Sequence, residues 1–159
     1  MASQPEFILA GVRMKQHLSS EQTNGSFCMF ENRSNPPSKT PIHIHEHEDE
    51  TLFILEGEMR ASIAGQESSI TAGESIFLPR GVAHQLMNES NAPAHYLLLC
   101  TPGGFEGFVA EGGHALVPGK VIQPSSPANI DRMKAAAPRF GIRLLCGWPA
   151  ADESETKPS

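Results

Sequence analysis

Four of the seven histidines in this 159-residue chain are His43, His45, His47 and His84, and the first three sit among the carboxylates Glu46, Glu48, Asp49 and Glu50. On a β-strand, side chains two apart project from one face, so His43 and His45 present their imidazoles together. Two ligands for a metal ion are thereby delivered by one strand. Glu50 stands at odd spacing from both and joins them only if the chain bends or bulges between Glu46 and Asp49. A fourth ligand must arrive from elsewhere, and the rigid turn predicted at Pro79-Arg80-Gly81 re-aims the following strand so that His84 supplies it. Three neutral imidazoles and one carboxylate suit one divalent transition metal, whether Fe, Mn, Ni, Co, Cu or Zn, and suit calcium or magnesium poorly. In an octahedral ion this set leaves positions open, which separates a site able to take substrate or dioxygen from a closed structural one.

Elements able to position these residues are short. Segments rich in Ile, Leu, Val, Phe and Thr alternate with Gly, Pro, Asn and Ser, which predicts an all-β sandwich or barrel. The expected strands are 7–10, 12–18, 26–32, 42–47, 51–55, 59–64, 68–71, 75–78, 84–87 and 94–101. Glu56-Gly57-Glu58 and Ala64-Gly65-Gln66-Glu67 each place a glycine where a tight hairpin requires positive φ, so both predict antiparallel neighbours. Asn35-Pro36-Pro37-Ser38-Lys39 reads as a loop, because two prolines remove donors. Beyond Thr101, residues 105–110 predict a helical turn, 118–127 an extended linker, and Asn129 a cap for a helix over 130–137 that Pro138 ends. The organisation expected is N-terminal strands over 1–35, a core over 36–101 holding all four candidate ligands, a helical and extended segment over 102–149, and a tail over 150–159 whose composition predicts disorder. Alternation puts Leu52, Ile54 and Leu86 on the ligand faces. The pocket is therefore expected to be mostly apolar, suited to a small hydrophobic or aromatic molecule with oxygen donors for the metal. The single Trp148 and single Tyr96 leave few residues for stacking.

Composition excludes other classes. Lys and Arg number 12 against 18 Asp and Glu, with no basic run, so neither nucleic acid nor an anionic membrane is an expected partner. Cys28, Cys100 and Cys146 are too few and too far apart for a disulfide framework or zinc ribbon and read as buried thiols. The opening MASQPEFILAGVRMK has its basic residues on the wrong side of a very short apolar stretch for a secretory signal, and no run approaches the roughly 20 apolar residues of a membrane helix. A cytoplasmic location is the expectation.

Two patterns together resemble the cupins: His43-x-His45, four residues, Glu50, six residues, Gly57; and Gly73, five residues, Pro79-x-Gly81, two residues, His84, three residues, Asn88. The resemblance implies an all-β jelly-roll barrel with short C-terminal helical segments, metal ligation by His43, His45, Glu50 and His84, a barrel mouth that admits a small-molecule substrate, and a homodimer. EDETLFILEGE and TPGGFEGFVAEGG look like the single-barrel, quercetin-dioxygenase-like subgroup. That likeness implies a dioxygenase acting on an enolic, catechol or flavonol-like compound, with Glu50 as ligand and catalytic base. Metal-dependent isomerase, cyclase or lyase chemistry, and a non-catalytic binding barrel, are the alternatives. His47 is expected at the surface or behind the ligands, and His17, His95 and His114 as structural histidines. Gly57, Gly73 and Gly81 read as turn residues and Asn88 as a strand-end backbone bond. Arg80 is read as a solvated turn residue or one facing the mouth, and Phe105 and Phe108 as a lid or simple helix packing.

Overall fold

The structure, a computed structural model, describes residues 4–146. Its strands are β1 (Glu6–Leu9), β2 (Val12–Leu18), β3 (Cys28–Ser34), β4 (Ser38–Lys39), β5 (Ile42–His45), β6 (Asp49–Glu56), β7 (Glu58–Ile63), β8 (Gln66–Thr71), β9 (Ser75–Leu78), β10 (His84–Asn88), β11 (Ala94–Thr101), β12 (His114–Ala115) and β13 (Ile142–Cys146). They form two antiparallel sheets. One has seven strands in the order β12-β1-β2-β3-β11-β6-β9, and the other six, with β13-β5-β10-β7-β8 in line and β4 beside β10. Alternation along β6, β7 and β11 puts Leu52, Ile54, Met59, Ala61, Tyr96 and Leu98 inward, where they join Phe30 in one core between the sheets. This is the all-β jelly-roll expected from the sequence.

Several local expectations change. Ala64-Gly65, with φ of 49° and 80°, does turn β7 into its neighbour β8. Glu56-Gly57-Glu58 closes no hairpin: β6 pairs with β11 and β9, while β7 lies in the other sheet. Gly57 makes this crossing possible, because at φ 82° a Cβ there would lie 2.6 Å from the Pro93 carbonyl oxygen. The segment from Asn35 to Lys39 is only partly a loop. Its prolines stay unpaired, but Ser38 and Lys39 past them recover free donors and pair with Asn88 and Met87 of β10.

The chain after β11 forms α1 (Phe105–Gly112), α2 (Pro127–Ala136) and a 3-10 turn over Ala137–Phe140. Ser126, not Asn129, caps α2: its hydroxyl accepts from the Asn129 N–H and Pro127 occupies the first turn, where no donor is needed. The helix therefore starts earlier than the sequence reading, and Pro138 sits inside the 3-10 turn that continues it. That reading also missed β13, which pairs with β5 and covers the outer edge of the histidine strand. The tail over 150–159 and Trp148 lie outside the described residues.

Candidate metal centre

The bend over residues 46–48 does more than shift parity. It carries the chain from β5 in one sheet to β6 in the other, so Glu50 faces His43 and His45 across the barrel instead of sharing their strand. His84 opens β10 directly opposite His43, its cross-strand partner. One ligating atom from each of His43, His45, Glu50 and His84 lies within 4.8 Å of the others. The structure thus brings together the four residues singled out from the sequence. His45, Glu50 and His84 are buried and His43 is half-buried, with its ring 4.3 Å from that of His84.

The imidazoles are held from behind. Pro41 O accepts from His43 Nδ1 at 2.8 Å, Val82 O from His84 Nδ1 at 3.3 Å, and Glu48 Oε1 from His45 Nδ1 at 3.3 Å. With each Nδ1–H engaged, Nε2 is the nitrogen left to offer a lone pair inward. Glu50 Oε2 lies 3.3 Å from His45 Nε2 and 3.2 Å from His84 Nε2. Even so, Glu50 Oε2 and His84 Nε2 are buried without a hydrogen-bond partner. Lone pairs that converge in this way, unpaired and out of water, fit a divalent transition ion between them, and the imidazole-rich donor set fits the same class.

The electrostatics follow from burial and the two carboxylates. Burial, reinforced by the neighbouring His84 and His45, pushes His43 down to about 3, so it is neutral at physiological pH. Burial opposes charge on His45 as well, but the hydrogen bond to Glu48 and the facing carboxylate of Glu50 outweigh it and raise its pKa to about 9. Burial likewise works against ionised Glu50, yet His45 and His84 hold its carboxyl well below the usual range.

The remaining residues sort by contact. Glu48 is 3% exposed and braces His45, which makes it the one acidic neighbour of the cluster turned inward. Glu46 pairs with Arg143 of β13 at 2.7 Å, and Asp49 binds Arg80, whose guanidinium is thereby turned to the outer surface. His47 is exposed against Gly141, where a Cβ would have no room. His17 and His95 both grip Glu31 at 2.7 Å, binding β2, β3 and β11 across the outer face of their sheet. Asn88 donates to Ser34 O and Ala92 O at its strand end. Gly57, Gly73 and Gly81 all take positive φ in turns.

A cavity with about 610 Å³ of atom-free space, its open mouth included, leads to His43, His45 and Glu50. Leu86 lines it as expected. Leu52 and Ile54 do not; they are completely buried in the core behind it. Phe105 and Phe108 of α1, the residues read as a lid, line it with Tyr96, and residues with no warning in the sequence join them: Met133 of α2, Ile142 and Leu144 of β13, and Asn32. The Phe105 ring packs edgewise on His45 with centroids 5.3 Å apart, so α1 roofs the cluster. Of the two readings given to Phe105 and Phe108, lid or simple helix packing, the lid is the one the structure favours.

Residues 33–100 match the family model of the cupin domain. Over 67 residues, 42% of this chain, it is 28% identical to tetracenomycin polyketide synthase protein TcmJ of Streptomyces glaucescens, and the match spans 45% of that protein. It is 27% identical over 105 residues, 64% of this chain, to quercetin 2,3-dioxygenase of Bacillus subtilis, but spans only 30% of that enzyme. An oxalate-binding protein of Thermotoga maritima is 32% identical over 87 residues, 54% of this chain and 72% of its own length. The chain thus spans less than half the length of the first two relatives.

Proposed function

This chain belongs to the cupin superfamily, and from that premise we propose that it is a metal-dependent oxidoreductase of the dioxygenase kind acting on a small hydrophobic, enolic or aromatic compound. The observation that carries the reading is the pair of orphaned buried atoms, Glu50 Oε2 and His84 Nε2, in a cluster whose His43, His45 and Glu50 line an apolar cavity. His43, His45, Glu50 and His84 would hold the ion. A divalent transition ion supplies Lewis acidity there and, with a redox-active metal, a route for electrons to dioxygen.

The chain's own residues do the rest. Glu50 is ionised, so it can accept a hydrogen bond from an enol hydroxyl brought against it, though a carboxyl held this far below the usual range is a weak base for the proton itself. Glu48 keeps His45 in one orientation, and Pro41 and Val82 do the same for the other rings. Phe105, Phe108 and Met133 exclude water from the chamber and offer apolar surface to the substrate. The likeness to a quercetin dioxygenase and to a polyketide synthase protein is in keeping with an aromatic oxygen-bearing ligand. The test is oxygen uptake by protein loaded with Fe(II), Mn(II), Co(II) or Ni(II) in the presence of enolic aromatics. Uptake with at least one metal is expected; none with any metal, at full metal content, rejects the reading.

The oxalate-binding relative favours a second reading, a barrel whose metal only anchors a ligand or polarises it without redox. Against oxalate itself, no Lys or Arg among the described residues lines the cavity to neutralise a second carboxylate. Zn(II)-loaded protein that converts substrate without oxygen would decide for Lewis-acid chemistry.

A homodimer is part of the same proposal. The outer face of the seven-stranded sheet exposes Phe53, Leu55 and Phe77 at 40%, 37% and 55%, an apolar surface that a second copy of the chain would cover.

A further inference from the structure

Apart from Thr40, whose hydroxyl oxygen accepts from the Leu86 N–H, one polar pair interrupts the apolar wall of the cavity outside the ligand cluster. Asn32 of β3 and Tyr96 of β11 are cross-strand partners, 1% and 3% exposed, and both line the chamber that reaches His43, His45 and Glu50. The Tyr96 hydroxyl meets the Asn32 side chain. Asn32 Oδ1, however, is buried with no hydrogen-bond partner. Their own neighbours in the sheet, Met14 beside Asn32 and Ile54 beside Tyr96, have nothing to donate to it. An unpaired buried acceptor opposes folding, and apolar groups of the same shape would avoid that cost, so packing gives no reason for an amide here.

Position adds a length. Tyr96 precedes Cys100 by four residues, and Cys100 stands opposite Glu50, which separates the pair from the ligand row by roughly 13 Å along the strand.

We propose that Asn32 and Tyr96 anchor the far end of the small molecule held in this cavity, so that the ligand carries a hydroxyl there which donates to Asn32 Oδ1, and oxygen donors for the ion at its other end. The proposal rests on the reading of the cavity as the substrate chamber. It makes Asn32 and Tyr96 specificity-determining residues, whatever chemistry follows at the metal.

Two fragments test the anchor without the metal: p-cresol and toluene, titrated into the full chain and followed by NMR. The wild-type protein is expected to bind p-cresol at least as tightly as toluene. In Asn32→Leu/Tyr96→Phe the ratio should swing about tenfold towards toluene, because a hydroxyl then enters an apolar wall unpaired. The double variant should also unfold at the same or a higher denaturant concentration than the wild type. An unchanged ratio, no binding of either fragment, or a marked loss of stability that shows the pair to be structural would each overturn the proposal. Oxygen uptake read in parallel keeps the two readings apart. The swing without any uptake keeps the anchor and rejects the dioxygenase, and uptake with no swing does the reverse.

Discussion

His45 is the residue on which most of the centre's behaviour turns. It is gripped by two buried carboxylates, and its pKa near 9 means that in the metal-free chain it carries a proton at neutral pH. Ligation requires that proton to leave. Apparent metal affinity is therefore expected to rise with pH up to about 9 and to flatten above it, whereas an unperturbed imidazole would flatten near 6.5. His43, already neutral above about 3, adds nothing to this slope. Calorimetry in buffers of different ionisation enthalpy should count close to one proton released by His45 per ion at pH 7.5; a count of zero with flat affinity from pH 6 to 9 would contradict the assignment. His84 tests geometry in place of protonation. In His84→Ala the atom that joins the second motif to the first is gone, and metal content should fall to background while the far-UV dichroism stays that of the barrel. Retained stoichiometric metal would mean that the ion sits elsewhere.

At the scale of elements, the centre depends on strands that cross between sheets. β5 brings two histidines, the bend after it moves to the opposite sheet, and β6 returns Glu50 to face them. The bend expected between Glu46 and Asp49 is present, and it sets Glu50 across the barrel from the two histidines. β5 itself is braced on its outer side by β13, with Ile142 opposite His45 and Leu144 opposite His43. Ile142 is 2% exposed and lines the chamber, so Ile142→Ala should lower stability by about 2–5 kcal/mol and weaken metal binding as well, as the histidine strand loses its support. Chemical denaturation and metal titration of the same variant check both effects; a stability loss with unaltered metal affinity would show that β5 holds its register alone. The helices make a similar point. α1 delivers Phe105 and Phe108 from far along the chain to the roof of a site built by strands.

For the whole molecule, the inward faces of the two sheets are filled by the core and the cavity, while the outer face of the seven-stranded sheet keeps an apolar stripe of Phe53, Leu55 and Phe77. If a second copy covers that stripe, Phe77→Glu should convert a dimer into a monomer in light scattering after size exclusion without disturbing metal content, because Phe77 points away from the centre. An unaltered mass would place the interface elsewhere, and a monomeric wild type would remove the dimer from the proposal. The sequence by itself determined the barrel class, the hairpin at Ala64-Gly65 and the identity of the four clustered residues, because strand alternation and turn chemistry are local and both motifs are dense in residues of special chemistry. It did not determine the sheet crossing at Gly57, the strand β13, the inward turn of Glu48, or the lining of Asn32, Met133 and Ile142, and it left Phe105 open between a lid and helix packing. Each of those depends on which distant segments the closed barrel and its helices bring face to face, and only the packed tertiary structure decides such contacts.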